Sequence, residues 1–432
     1  MAVCFLLYVQ TCNKYNHDTM YNVLINAYAV APNWGSEQGM GWNWISNLAK
    51  YCNLYVVTEG EWQKEIDASV AVHPYREHLH FYYNPLPAEV RKMCWNQGDW
   101  RFYKFYRQWQ KSTFEIEKKI VAAHQIDLVH HLNMICFREP GFEWLHDLPF
   151  VWGPVGSMEL TPTAFLEGES LKLKFAIHLK NFINNLQRRY QPNLKKALNR
   201  AGGLSAATKG VYEFIRDYHH KDVVLINETG CYERELPSKP KGKATFDIIW
   251  VGKYDFRKQA GLALEALALL KDCKGIKLHM IGPGTDAEMK RFKGLAESLM
   301  LGDSVVWHGR IPNEEVQKLM REGEVFLLTS VMEGTPHVVL EAIQNALPVI
   351  CFDACGHAGV VNEKVGIKVP QTDKRSAITG FADAIRKLYY DRALLKQMSM
   401  NCNQRQKELS WDSKARIMLG LYDKAVNEYK KK

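Results

Sequence analysis

Short apolar runs and longer segments of helical period alternate along almost the whole chain from Met20 onward. The runs at 22–28, 54–58, 79–83, 126–131, 149–155, 203–207 and 223–227 have the length and content of buried strands. Between them the apolar residues recur at three- and four-residue spacing, notably over 38–50 and 102–124, which predicts amphipathic helices. A stretch rich in Pro, Lys and Gly, LPSKPKGKA from Leu236, breaks the pattern and has the composition of a linker. Beyond it the alternation restarts, with strands predicted at 247–251, 277–281, 305–308, 325–329 and 348–353 and helices at 261–271, 286–300, 314–321 and 336–346. The pattern predicts an α/β protein of two doubly wound, Rossmann-like domains facing across a cleft. The expected boundaries are 20–235 for the first domain, 236–245 for the linker, 246–410 for the second domain, and a C-terminal helix over 411–432 placed to pack back on the first. Sheets of this kind bind ligands at the carboxyl ends of their strands, so functional residues are expected just after strands.

The 432 residues, 47% hydrophobic and 24% charged, suit two ordinary domains and exclude disordered and collagen-like classes. No stretch reaches the roughly 20 apolar residues of a membrane span, so a soluble chain is expected. The segment 1–19 has an apolar run but neither a basic leader nor a small-residue cleavage site, and it is expected to be an extension without a role in the fold. Ten cysteines scattered through a long chain do not have the spacing of a disulfide scaffold, which favours a reducing cytoplasm. The close pair Cys351 and Cys355 has no second pair beside it and suits small buried residues better than a zinc site. The formal net charge of +9 is partly local: between Leu171 and Arg200 there are eight basic residues and no acidic one, interleaved with apolar residues at helical spacing. That segment suits either an anionic membrane surface or a solvated face beside an anionic substrate. No nucleic-acid recognition motif accompanies it.

The most informative segment is SVMEGTPHVVLEA, from Ser330 to Ala342, which joins a strand to a helix. Its middle is a helix N-terminus, whose free N–H groups suit a phosphate. Gly334 lets a ligand approach the backbone, and Pro336 fits a first helical turn. Glu333 and Glu341, with seven residues between them, place two carboxylates at different heights beside the same ligand. Carboxylates accept from sugar hydroxyls, but two beside a diphosphate need cations nearby. VGKYDFRKQ supplies these: Gly252 ends a strand, and Lys253, Arg257 and Lys258 follow in a loop entering the next helix. Such cations neutralise a leaving diphosphate, the part a metal ion otherwise plays.

In the first half, WGSEQGMGW follows the first strand; Gly35, Gly39 and Gly41 permit close approach, and Ser36 and Glu37 are placed to cap the helix. The spacing is neither a dinucleotide fingerprint nor a P-loop. IDLVHHLN puts His130 and His131 at a strand end, where neighbours point to opposite faces, so one is expected toward the cleft and one toward the core. VWGPVGSMEL adds another turn, with Glu159 available to a ligand.

These residues resemble glycosyltransferase family 4, retaining enzymes of the GT-B fold. The resemblance rests on Glu333 to Ala342 (EGTPHVVLEA), Val251 to Lys258, the turn Ile281-Gly282-Pro283-Gly284, His308-Gly309-Arg310-Ile311 and Leu347-Pro348-Val349-Ile350, and covers nearly all of the chain from Met20, with the second domain the more diagnostic. It implies that Glu333 contacts the donor sugar, that Glu341 holds the nucleotide ribose, and that Lys258 meets the diphosphate. It also implies that Gly334, Thr335, Pro336, His337 and Val338 present backbone to sugar and phosphates, that Gly252 and Gly282 line the donor pocket, that Arg310 and Ile311 frame the base, and that Gly35 and Ser36 lie near donor phosphate and acceptor. Lys258, Glu333 and His131 are the catalytic candidates, with no metal ligand and no cofactor beyond a UDP- or GDP-linked sugar as co-substrate. Two departures stand out: Lys253 occupies a position where the family usually has Arg, and the two histidines are adjacent, with Leu132 where the family's cleft histidine is expected.

The resulting expectation is a metal-independent, retaining transferase that moves a sugar from a nucleotide-diphosphate sugar to a saccharide or lipid-linked saccharide, in the cytoplasm or at the inner membrane surface, and takes no nucleic acid. The alternatives are a nucleotide-sugar epimerase of the same fold and a non-catalytic nucleotide-sugar-binding partner. Acceptor choice is expected to lie in the loops 83–107 and 159–200.

Overall fold

The computed structural model describes residues 20–95, 99–134, 136–237, 245–334 and 336–431. The expected extension 1–19, most of the expected linker and Thr335 lie outside the described residues.

Two parallel sheets form. The first has seven strands: β1 (Tyr21–Ala27), β2 (Cys52–Thr58), β3 (Leu79–Tyr83), β4 (Leu128–Asn133), β5 (Phe150–Val155), β6 (Gly203–Ala206) and β7 (Val224–Leu225), in the order β3-β2-β1-β4-β5-β6-β7. The second has six: β8 (Phe246–Val251), β9 (Ile276–Ile281), β10 (Val305–Gly309), β11 (Val325–Leu328), β12 (Val349–Phe352) and β13 (Gly366–Val369), in the order β10-β9-β8-β11-β12-β13. In each sheet the first strand in sequence is internal and its central residues are apolar in succession, as suits a strand covered on both faces. Val23, Leu24, Ile25 and Ala27 of β1 are fully buried, and so are Ile248, Ile249 and Trp250 of β8. Separate clusters of buried side chains cover the two faces of each sheet.

Strand β13 was not anticipated, because GIKV offers a single apolar pair inside a polar loop; its ladder to β12 runs from Val349↔Gly366 to Phe352↔Val369. The helix after β1 spans Ser36–Leu48, two residues earlier than expected. Its start is not capped as expected: Gly35 is the N-cap with no side-chain bond, and Ser36 turns the chain at φ 56°. Gly39 and Gly41 serve packing, since a Cβ on them would lie 1.8 Å from the Trp34 carbonyl and 2.3 Å from the Ala29 carbonyl.

The C-terminal helix Trp411–Lys430 lies on the first sheet and contributes Trp411, Met418, Leu421, Tyr422 and Ala425 to its core. His130 fixes it there: Nδ1 lies 2.8 Å from Tyr422 Oη, and Nε2 lies 2.8 Å from the Gly153 carbonyl oxygen. Lys414, also buried, donates to the Asn227 carbonyl at 2.9 Å. Burial pushes its ammonium down to about 7.

His130 makes stability depend on acid. Burial lowers its pKa to about 4, whereas an unfolded histidine takes up its proton near pH 6.5. The contribution is complete above about pH 6.5 and is lost as pH falls toward 4, by up to about 3 kcal/mol. Urea unfolding across that range is expected to show the loss in the native chain and a shallower slope in His130→Gln; an identical slope in the variant contradicts the assignment.

Candidate functional site

The order β10-β9-β8-β11 brings the four segments singled out in the second domain side by side at the carboxyl ends of adjacent strands. Gly252 follows β8, Gly282 follows β9, Arg310 and Ile311 follow β10, and Glu333 to Val338 follow β11. The turns interlock: Gly252 N–H donates to the Ile281 carbonyl at 2.9 Å, and Gly282 N–H to the Gly309 carbonyl at 2.8 Å. Gly282 sits at φ 142°, and a Cβ there would fall 1.8 Å from the Gly252 carbonyl oxygen, so glycine is a steric requirement.

The basic loop is stitched to the loop after β11. Val331 N–H donates to the Arg257 carbonyl at 2.8 Å, and Thr329 Oγ1 donates to the Lys258 carbonyl at 2.7 Å. Trp250 Nε1 donates in turn to Thr329 Oγ1 at 3.0 Å. This framework carries Lys258 Nζ to within 2.6 Å of Glu333 Oε1, with the two side chains only 15% and 14% exposed. The other two cations stand further out: Arg257 pairs with Asp255 at 3.0 Å, and Lys253 is exposed. Behind the pair lies His357, fully buried; burial first, and then the Lys258 charge, lower its pKa to about 3, so it is neutral.

The helix His337–Gln344 begins directly after Pro336. Glu341, on its second turn, accepts from Gln317 Nε2 at 2.9 Å, and Gln317 Oε1 accepts from Asn345 Nδ2 at 2.6 Å. Burial raises the Glu341 pKa. Ile311 and Val338 pack against one apolar cluster beside it, while Arg310, Gly334 and His337 are exposed.

The first domain's loops meet this region at several points. Lys209 Nζ pairs with Asp353 at 2.7 Å, Thr161 Oγ1 donates to Met332 Sδ at 2.9 Å, and Asn227 Nδ2 donates to the Gly356 carbonyl at 3.0 Å. Glu228, just after β7, was missed in the sequence: its Oε1 lies 2.6 Å from where a Cβ on Gly334 would be. The signal was available, an acidic residue directly after a strand in INETG. Gly35 and Ser36 are exposed at the start of the helix Ser36–Leu48.

Two expectations are corrected. Neither histidine of the adjacent pair faces the cleft. His131 is 1% exposed, with Nδ1 2.9 Å from Glu143 Oε2, in an internal polar cluster with Asn26, Gln110 and Glu117. Burial opposes charge on Glu143, yet His131 holds its carboxyl below the usual range, while burial holds Glu117 well above it. Glu159 is not turned to a ligand but accepts from Gly210 N–H at 2.9 Å. The close cysteine pair is as expected: Cys351 belongs to the apolar core, and Cys355, also buried, donates to the Val331 carbonyl at 3.5 Å.

Residues 232–406 match the family described as glycosyl transferases group 1. A lipopolysaccharide 1,6-galactosyltransferase of Escherichia coli K12 is 31% identical over 168 residues, 38% of this chain and 45% of that one. A putative colanic acid biosynthesis glycosyltransferase of the same organism, WcaL, is 32% identical over 165 residues, 36% of this chain and 40% of that one. The match therefore spans less than half the length of either relative. Among solved structures, the lipopolysaccharide outer core galactosyltransferase WaaB superposes with a TM-score of 0.59 at 15% identity, covering 93% of this chain and 99% of the other. HepE of Anabaena, solved in complex with UDP, superposes with a TM-score of 0.53 at 13% identity, covering 93% and 98%. The fold is thus GT-B, two Rossmann-like domains with parallel sheets.

Replacing Gly282 by Ala is expected to cost about 2 to 4 kcal/mol of stability, from strain and from contact with the Gly252 carbonyl. Urea unfolding measures it, and an unchanged midpoint overturns the steric account of this turn.

Proposed function

We propose that the chain is a retaining glycosyltransferase that moves a sugar from a nucleotide-diphosphate sugar to a saccharide or lipid-linked saccharide acceptor, without a metal ion. The observation that carries the reading is the contact of Lys258 with Glu333 at the junction of two strand-end loops. A sugar diphosphate replaces both partners at once: its phosphate oxygens take the Lys258 ammonium, and its sugar hydroxyls donate to the Glu333 carboxylate. Glu341, deeper in the same helix, is assigned the ribose hydroxyls. The match to group 1 glycosyl transferases and the names of the relatives support transfer of a sugar in the assembly of a lipopolysaccharide or a related polysaccharide. The UDP bound by HepE supports a uridine donor, with guanosine as the other candidate base.

In this reading the acceptor attacks the anomeric carbon on the face the diphosphate leaves, through an oxocarbenium-like transition state. Lys258, assisted by Lys253, Arg257 and the amides at the start of the helix His337–Gln344, stabilises the charge that develops on the leaving group. These groups supply cationic charge where a metal would otherwise be needed. With His131 buried, catalysis is assigned to Lys258 and Glu333. Work at the cytoplasmic face of a membrane fits a lipid-linked acceptor.

Lys258→Ala and Glu333→Ala, each verified as folded, are expected to lose ~30- to 1000-fold in transfer, corresponding to about 2 to 4 kcal/mol in the transition state. Near-native rates in both refute the assignment. Run with and without acceptor, the same assay separates the rivals: product from the nucleotide sugar alone identifies an epimerase, and donor binding without any turnover identifies a binding protein.

A pH dependence follows from Glu341. Because its pKa is raised in the free protein, the carboxylate is protonated, and lost as an acceptor for ribose hydroxyls, at a higher pH than an ordinary glutamate. Affinity for a nucleotide sugar, measured by calorimetry, is expected to fall as pH drops through an inflection above about 4.3. Glu341→Gln is expected to bind more weakly and to lack that inflection; a variant that keeps it assigns the titration elsewhere.

A further inference from the structure

We propose that the outer face of the helix Leu171–Tyr190 docks the protein onto an anionic lipid surface. The helix is fixed to the first domain by its inner side. Ser170 caps it by accepting from Leu173 N–H at 3.2 Å. Asn181 exchanges two hydrogen bonds with Thr161, at 2.9 and 2.8 Å. Arg138 donates to Gln187 at 2.7 Å and also to Asn184, while Ile177 is buried beneath.

The opposite side does not contribute to that attachment, yet it is apolar. Leu171, Phe175, Leu179, Phe182, Leu186 and Tyr190 are 44% to 83% exposed. At 3.6 residues per turn they fall within about a third of the helix circumference. A merely solvated face has no physical reason to line up large apolar side chains in water, where each forgoes the free energy of burial.

Charge selects the occupant. From Leu171 to Arg200 the chain has eight basic residues and no acidic one. Lys172 and Lys180 are exposed on this helix, and Lys195 and Lys196 on the next, Pro192–Arg200. A second copy of the chain would bring the same cations against these and repel them. A bilayer with anionic headgroups offers apolar depth to the stripe and opposite charge to its flanks. Among the described residues no helix is long and apolar enough to cross a membrane, so the contact is one of lying on the surface.

The test uses the full chain and does not require catalysis, so its result is independent of the transfer reading. Sedimentation with phosphatidylglycerol-containing vesicles is expected to carry down the native protein, with pure phosphatidylcholine vesicles binding it about tenfold less. Phe175→Ser combined with Leu179→Ser and Phe182→Ser is expected to weaken binding to the anionic vesicles by about tenfold or more, with an unchanged thermal midpoint because these side chains are exposed. Gln at Lys172, Lys180, Lys195 and Lys196 is expected to abolish the preference for anionic lipid. The proposal is overturned if the native chain does not bind vesicles, if the triple serine variant binds as the native chain does, or if the stripe proves to mediate self-association that the serine variant abolishes.

Discussion

The second domain depends chemically on the side-by-side placement of β8 and β11. That adjacency lets the loop after one strand hydrogen-bond to the loop after the other, through Val331 with the Arg257 carbonyl and Thr329 with the Lys258 carbonyl. The Lys258–Glu333 contact is a consequence of this backbone framework, which defines where both side chains begin. A pair so little exposed adds little net stability, because desolvation of each charge offsets the attraction, while either charge left alone would be costly. The pair holds a cation and a carboxylate close together, which is the feature the proposed function rests on.

The fold was legible in the sequence because its signals are local. The strands are short, largely apolar segments, and the candidate residues of the second domain lie in the loops that follow them or in the helix entered from such a loop. Lys258, Glu333, Gly282 and Ile311 could therefore be placed in the loops at strand ends, with Glu341 in the helix that follows one of them, and the sheet order joins those ends. Two kinds of information were not local. Strand β13 is defined by its ladder to β12, since its own four residues carry almost no pattern. Glu228 gains its significance from an approach to Gly334 across more than a hundred residues of chain, which no periodicity records.

The adjacent histidines show a different limit. Alternation along β4 correctly puts them on opposite faces, but it cannot reveal that both faces are covered. The C-terminal helix, starting nearly three hundred residues later, covers His130 with Tyr422. On the other side, Glu143 and the helix Phe102–Ala123, which carries Gln110 and Glu117, enclose His131 in a cluster that satisfies polar groups inside the domain. A polar residue at a strand end signals a site only where nothing packs over it, and that is a property of the whole fold.

The two domains are joined by two passages of chain that hydrogen-bond to each other. Cys231 N–H donates to the Leu409 carbonyl at 3.1 Å, and Trp411 N–H returns a bond to the Cys231 carbonyl at 3.1 Å. Gln406 adds bonds to the backbone of Arg234 in both directions, at 3.1 and 2.6 Å. Away from this seam the contacts between the domains include polar ones, such as Lys209 with Asp353 and Asn227 with Gly356, of the kind found where domains move relative to one another. Lys258, Glu333 and Glu341 all belong to the second domain, so rotation about the seam leaves their mutual geometry intact. Glu228 stands beside the seam, Lys209 and Thr161 reach across from the first domain, and it is their distance from the loops after β11 and β12 that such a rotation changes. The cation and the two carboxylates thus belong to one domain, and polar groups of the other approach them across the interface.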